Sequence, residues 1–265
     1  MRVRRVTAVM ILALAAAAGA ALPAAAQEES AAGGSRLTIS FQADGMSRTI
    51  FWDEKTRSSR LVNPQALLAV DYEAMPGLDL GLLLGYSLAS WNGLTFRDLP
   101  FSIENQSGSI GGPILGAELR KSLFVQGFWE LDLEARFTAC LGRTVTLPVE
   151  GLAVEGQADL KGAWMRAELG PILHYRGFEL FSPFVGLAYD RLWGRMKAIE
   201  TIGELEGIEE KKVSGAGAWA LQFGTIYEPS TTFRVRLGGT LIPFSTIDGG
   251  LGLDYGATVR VLLGF

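Results

Sequence analysis

The sequence predicts an all-β fold: an up-and-down antiparallel transmembrane β-barrel of ten strands, with eight or twelve strands as the alternatives. Three observations predict it. Apolar residues recur at every second position in about ten segments, which is the period of a strand with two unlike faces. Short and long connections alternate between those segments. After residue 26 no apolar run reaches the roughly 18 residues that a membrane-spanning helix needs, although hydrophobic residues make up 48% of the chain.

The amino-terminal segment is set apart. Arg2, Arg4 and Arg5 form a basic start, Val6 to Leu22 is an apolar run, and Ala24-Ala25-Ala26 offers small residues before Gln27. This order reads as a cleaved secretory signal peptide over 1–26. A short polar leader over 27–34 follows, and then a barrel domain over 35–265. Cys140 is the only cysteine, so no disulfide can form within the chain. The net charge of −4, without a Lys/Arg-rich cluster in the sequence, argues against a nucleic-acid partner.

The first strand is expected at about 35–45, with Leu37, Ile39 and Phe41 opposed to Thr38, Ser40 and Gln42. The second, about 62–74, sets Leu68, Val70 and Tyr72 against Asp71 and Glu73. Met75-Pro76-Gly77 is a tight turn. The third, about 78–91, lines up Leu78, Leu80, Leu82, Leu84, Tyr86 and Leu88. The fourth, about 108–120, alternates Leu115, Ala117 and Leu119 with Glu118 and Arg120, and Pro113 weakens it. The fifth, about 124–140, alternates Trp129, Leu131, Leu133, Ala135 and Phe137 with Glu130, Asp132, Glu134 and Arg136.

The sixth, about 157–175, opposes Ala163, Met165, Ala167 and Leu169 to Trp164, Arg166, Glu168 and His174. The seventh, about 181–194, carries Val185, Leu187 and Tyr189 against Gly186 and Asp190. The eighth, about 214–228, carries Trp219, Leu221, Phe223 and Tyr227. The ninth, about 231–242, sets Phe233, Val235, Leu237 and Leu241 against Arg234 and Arg236. The tenth runs to the carboxyl terminus, with Leu251, Leu253, Tyr255, Ala257, Val259, Val261, Leu263 and Phe265 on one face.

Short turns are expected around Pro76, Lys121, Arg176 and Ser230. Longer connections are expected at about 46–61, 92–107, 141–156, 195–213 and 243–250. In an up-and-down barrel this puts the short turns and both termini at one rim and the long loops at the other.

The direction of the faces follows from cost. Glu130, Asp132, Glu134 and Arg136 share one face, as do Arg234 and Arg236. An arginine facing lipid near the bilayer midplane costs about 2–4 kcal/mol. Ten strands enclose little more than the eight-strand lumen that side chains just fill, so the bulky apolar faces would not fit inside. Charge therefore points inward. The expected lumen network is Asp71, Glu73, Asp79, Glu118, Glu130, Asp132 and Glu134 with Arg136, Arg166, Arg234, Arg236 and Arg260, and Arg120 lies among the acids. A hairpin of the fifth and sixth strands centred near residue 149 would set Asp132 opposite Arg166. Such a lumen is either plugged by paired charges or a narrow pore with a transverse field, and its small size favours the plug.

Several other charges read as solvated. Asp44, Asp53, Asp98, Asp190 and Asp248 are expected as loop or rim acids. Glu200, Glu204, Glu206, Glu209 and Glu210 among Lys197, Lys211 and Lys212 are expected as a solvated mixed-charge loop.

The signal peptide, the alternating connections and the closing run Tyr255-x-Ala257-x-Val259-x-Val261-x-Leu263-x-Phe265 resemble the bacterial outer-membrane β-barrel superfamily. The resemblance covers essentially the whole chain after residue 26. It implies a place in the outer membrane, in contact with outer-membrane lipid and lipopolysaccharide. It also implies that Tyr255, Val261, Leu263 and Phe265 form an assembly signal read by the barrel-assembly machinery. It does not imply one activity, because members include pores, adhesins, lipid enzymes and proteases.

The strand count is shared with the omptin proteases, whose chemistry uses acidic residues with a His–Asp pair at the extracellular rim. This chain has one histidine, His174, expected at the opposite rim, and no His/Cys metal spacing. The expectation is a protein without catalytic residues, metal or cofactor, of structural, surface-interaction (adhesin-like) or narrow passive-pore type. The alternative is an outer-membrane barrel hydrolase, a protease or lipid-modifying enzyme, with an acidic extracellular-rim site.

Overall fold

The computed structural model describes residues 37–52, 56–96, 99, 103–105, 110–149 and 156–265. The expected signal peptide and leader, with Asp53 and Asp98, lie outside these residues. Among the described residues there are fifteen strands: β1 (Leu37–Trp52), β2 (Arg57–Met75), β3 (Leu78–Ser87), β4 (Ser90–Asn92), β5 (Leu94–Phe96), β6 (Ile103–Asn105), β7 (Gly112–Gln126), β8 (Trp129–Leu141), β9 (Val145–Val149), β10 (Gly156–Tyr175), β11 (Phe181–Ile202), β12 (Leu205–Gly215), β13 (Trp219–Tyr227), β14 (Phe233–Ser245) and β15 (Leu251–Gly264).

Ten of them close a ring in the order β1-β2-β3-β7-β8-β10-β11-β13-β14-β15 and back to β1, antiparallel throughout. The seam between first and last strands runs from Thr38↔Gly264 to Ser47↔Tyr255. The Phe265 N–H extends it by donating to the Leu37 carbonyl at 2.9 Å. Closure leaves no edge within the ring of ten described strands, and lipid offers no water to satisfy one.

The faces are as charge required. Leu82, Leu84, Leu115, Val185, Leu187, Phe223, Leu237, Leu253 and Val259 point outward and are exposed, forming an apolar belt around the ring. Thr38, Ser40, Gln42, Glu130, Asp132, His174, Asp190 and Asp254 point inward and are buried.

The turns differ from expectation in three places. The fourth ring strand runs on to Gln126, past its expected end near 120, and the fifth starts at Trp129, later than about 124. The chain reverses at Gly127-Phe128, not at Lys121, and Gly127 holds a φ of 58° that glycine adopts without strain. A bulge between Ser122 and Phe124 shifts the register there. The expected loop at 46–61 is two strands instead: β1 and β2 stay paired up to Trp52↔Arg57. The expected loop at 195–213 is also a hairpin, in which β11 and β12 pair from Trp193↔Ser214 to Ile202↔Leu205 around Gly203.

The two differences near the long-loop rim share one physical reason. Beyond the lipid belt the pattern inverts without any slip in register. On β1 the inward row changes from Thr38, Ser40, Gln42 and Asp44 to Met46, Arg48, Ile50 and Trp52. Its outward row changes from Leu37, Ile39 and Phe41 to Ser47 and Thr49. On β11 the outward row passes from Val185, Leu187 and Tyr189 to Arg191, Arg195 and Lys197, while Leu192, Met196 and Ala198 become buried. Above the membrane, water takes the place of lipid outside, so apolar groups gain by turning in.

The belt generates a test. Leu82→Arg should lower the stability of the barrel folded into phospholipid vesicles by about 2–4 kcal/mol, read by urea titration. An unchanged midpoint would mean that this face does not meet lipid.

Candidate functional site

The lumen is the chain's most unusual chemical environment, and it has two layers. The layer nearer the short-turn rim is ionic. Arg260 of β15 reaches Asp71 at 2.6 Å and Glu118 at 2.5 Å, and its Nε donates to Ser40 Oγ at 2.7 Å. Gly81 makes that convergence possible. It stands between Asp71 and Glu118 in the sheet, and a Cβ there would lie 2.1 Å from Asp71 Oδ1. Arg236 binds Glu134 through both terminal nitrogens, at 2.8 and 3.1 Å. Arg136 meets Asp44 at 3.2 Å. Arg120 lies 3.1 Å from Asp132, 3.8 Å from Asp79 and 4.0 Å from Glu130.

The remaining expected lumen residues fall near the short-turn rim. Glu73 accepts the Gly77 N–H at 3.3 Å, and Arg234 is half-buried on the inward face of β14. Arg176 bridges Glu130 and Glu228. His174 is buried beside Asp132, with Nε2 3.5 Å from the carboxylate, and its ring lies 5.6 Å from that of Phe184. It is a lumen side chain.

The expected pairing of Asp132 with Arg166 is not formed. The β8–β10 register sets Arg166 opposite Thr138 and Asp132 opposite Ile172, because the connection is centred a few residues later than residue 149. Arg166 instead joins Glu168 at 2.7 Å and Asp190 at 2.6 Å.

Arg166 leads to a cluster that sequence reading missed. Arg48 is buried, with Nη1 2.7 Å from Asp190 Oδ1, Nε 3.5 Å from Asp254 Oδ2, and Nη2 donating to the Gly217 carbonyl at 3.0 Å. Asp254 Oδ1 accepts the Thr49 N–H at 2.8 Å and the Thr49 hydroxyl at 2.9 Å. Asp190 and Asp254 are both 0% exposed, so Asp190 is not the solvated rim acid that its spacing suggested. Asp44 is not one either, being held by Arg136 and by the Gln42 amide at 2.7 Å. Asp248 is exposed in the β14–β15 loop, as expected. Arg48 escaped notice because it stands in the stretch where the apolar alternation inverts.

The second layer, towards the long-loop rim, is apolar. Met46, Ile50, Trp52, Leu61, Leu160, Trp164 and Leu192 from the wall pack with Trp91, Phe96, Leu99 and Ile110 from the β3–β7 connection. Met196, Ala198 and Val213 of the β11–β12 hairpin complete the cluster, and Trp91 meets Trp164 edge to face at 5.4 Å.

The hairpin is therefore no solvated loop. Glu200, Glu209 and Lys211 of that charge run are buried. Lys211 lies 2.7 Å from Glu209, with Nζ 4.8 Å from the Trp52 ring centre. At its base β12 pairs with β1 through Ile50↔Gly215 and Phe51↔Ser214. At that height one strand, β12, stands where β13, β14 and β15 stand below. Fewer strands give a narrower tube, and the apolar side chains fill it.

Removing the guanidinium should be costly here. Arg48→Ala would leave Asp190 and Asp254 without their shared cation, and breaking such a buried pair costs about 3–5 kcal/mol. The loss should appear as a lower urea midpoint in detergent micelles. An unchanged midpoint would mean that this cluster does not anchor the hairpin.

No protein-family model matches the chain, and no curated protein matches it. Solved structures similar to it include the outer membrane protease OmpT from Escherichia coli (TM-score 0.49, 11% identity, covering 91% of this chain and 99% of that one). Others are the translocator domain of the autotransporter NalP from Neisseria meningitidis (TM-score 0.45, 12% identity, 89% and 90%) and the attachment invasion locus protein Ail of Yersinia pestis (TM-score 0.32, 11% identity, 87% and 98%). At these identities the likeness concerns the fold alone. The closed ring of ten strands and its outward apolar belt carry the assignment: the chain is an up-and-down antiparallel transmembrane β-barrel.

Proposed function

We propose that this protein is a sealed outer-membrane barrel that acts through its long-loop end and is neither a pore nor an enzyme. One observation carries the reading. The ionic layer is closed over by an apolar plug in which Trp91, Trp164, Ile50, Leu160 and Met196 are all at most 2% exposed. A solute path would have to pass both layers. Breaking the lower layer leaves unpaired charge, and opening the upper one forfeits tight apolar packing.

The work left to such a barrel is structural support or surface interaction. The β3–β7 connection and the β11–β12 hairpin make up much of the long-loop end. Catalysis by acids at that rim has little support, because Asp190 and Asp254 both engage Arg48 away from solvent. The only His–carboxylate contact among the described residues is His174 with Asp132, in the short-turn half of the lumen.

Planar-bilayer recording of the refolded protein tests the sealed lumen. The expected trace is flat. Discrete conductance steps would overturn the reading in favour of the narrow pore.

The partner during biogenesis is a separate part of the proposal. The outward row Tyr255, Val261, Leu263 and Phe265 ends the closing strand, and the Phe265 side chain is 69% exposed. Such a row can be read by the assembly machinery before the seam forms. Phe265→Ser should slow insertion of newly exported chains, followed as the heat-modifiable fraction in outer-membrane preparations. Equal rates would remove Phe265 from the signal.

A further inference from the structure

Above the level where β15 leaves β1 at Ser47↔Tyr255, one strand, β12, closes the wall between β11 and β1, and its two edges are held unequally. Towards β11 it makes ten residue pairs, from Trp193↔Ser214 to Ile202↔Leu205. Towards β1 it makes two, Ile50↔Gly215 and Phe51↔Ser214, and the Ala216 N–H adds a bond to the Thr49 carbonyl at 2.9 Å. The β1–β15 seam below holds ten pairs. Among the described strands the β12–β1 join is the shortest in the wall.

The inward row of β12 also seals poorly. Its buried side chains are Glu209, Lys211 and Val213, and of these only Val213 joins the apolar cluster. The facing rows of β10 and β11 supply Leu160, Trp164, Leu192, Met196 and Ala198 to the same cluster. Lys211 and Glu209 are paired at 2.7 Å with both side chains buried. A buried ion pair is held against the cost of desolvating both charges. Moving β12 away from β1 returns water to that pair, which offsets the lost packing of Val213.

The base of the strand is fixed where the rest is not. Arg48 Nη2 holds the Gly217 carbonyl at 3.0 Å, and a Cβ at Gly215 would lie 2.7 Å from the same nitrogen. The guanidinium therefore pins the start of the β12–β13 connection to β1. Above Phe51 the described contact across the join is between side chains, with Lys211 Nζ 4.8 Å from the Trp52 ring centre.

We propose that β12 is a releasable strap. The β11–β12 hairpin turns about β11, β12 parts from β1 above the Arg48 cluster, and the apolar layer opens sideways while the ten-strand ring stays shut. Local openings cost less than global ones where apolar burial and backbone pairing are sparse, and β12 has both properties on its β1 side. The open form presents the upper edge of β1, from Thr49 to Trp52, together with the inward side chains of Met46, Ile50 and Trp52. The ionic layer below keeps its pairs, so the opening adds to the sealed lumen without breaking it.

The test reads thiol reactivity in the full barrel refolded in detergent micelles. Cys140 and Val213 are buried in the same apolar cluster, at 4% and 3% exposure. Val213→Cys in a Cys140→Ser background places the thiol on the strap, and Cys140 of the wild type reports opening elsewhere in the layer. Leu160→Cys in the same background reports the row on β10, which pairs with β9 on one side and β11 on the other. Each rate is divided by that of the urea-unfolded chain. The strap thiol should then react at least about tenfold faster than either reference, because its opening breaks only the β1 join. Adding Glu209→Leu and Lys211→Met should slow it about tenfold, since an apolar pair has no hydration to regain; a merely loosened fold would speed it. Equal rates for the strap thiol and Cys140 would overturn the proposal. So would an equally fast thiol at position 160, which would mean that the whole layer opens, or an unchanged rate in the charge-free strap. Conductance steps in planar bilayers would leave it standing, because the thiols read the side of the wall and not a path along the lumen.

Discussion

Closure of the β1–β15 seam is the constraint on which the rest depends. A strand in lipid cannot leave its N–H and C=O groups unpaired, so the last strand must return to the first. The seam pairs from Thr38↔Gly264 to Ser47↔Tyr255, and with ten strands in the ring the width of the lumen is set. Every inward side chain is then committed to one narrow space. Period-two alternation allows no adjustment, because a slip of one residue would turn the whole row to lipid. Gly81 records how tight that space is: Asp71 and Glu118 converge on Arg260 only where one position between them has no side chain.

The seam also ends early, and the upper architecture follows from that. β15 leaves β1 at Ser47, but β1 continues to Trp52. The edge left over is taken by β12 through Ile50↔Gly215, with the Ala216 N–H donating to the Thr49 carbonyl at 2.9 Å. Below this level the wall separates lipid from ions, and above it the wall separates water from an apolar core. The same strands satisfy both, because solvent changes along their length and the hydrophobic effect follows it.

This inversion explains what could be read from the sequence and what could not. The lipid-facing rows of all ten ring strands were legible, since Leu80-x-Leu82-x-Leu84 or Tyr255-x-Ala257-x-Val259 alternates against polar neighbours. The inward direction of the charges was legible too, from the cost of the opposite choice. The stretches at Met46–Trp52 and Arg195–Val213 were not, because there the apolar residues pass to the other face and the outward residues resemble a solvated loop. Arg48 and the buried face of the hairpin were lost together for that reason. The exchange of partners by Arg166, from Asp132 to Asp190, was lost to a connection whose centre could not be counted to within two residues.

The ionic layer uses one kind of cation, and that choice bears on what the lumen is for. Among the described residues the ionic layer is built with arginine alone: Arg48, Arg120, Arg136, Arg166, Arg236 and Arg260. The buried Lys211 belongs to the upper, apolar layer, where it pairs with Glu209. A guanidinium presents five donors in a planar fork and can bridge two carboxylates, whereas an ammonium is a compact point charge. Arg48 engages Asp190, Asp254 and a backbone carbonyl; Arg166 engages Glu168 and Asp190; Arg260 engages Asp71, Glu118 and Ser40. The Arg48–Asp190 and Arg260–Asp71 bridges tie together strands that are not neighbours in the ring, and Arg166 fastens β10 to its neighbour β11 through Asp190. A pore needs charges that attract a solute and then release it. These charges are engaged with one another, so they brace the wall from within.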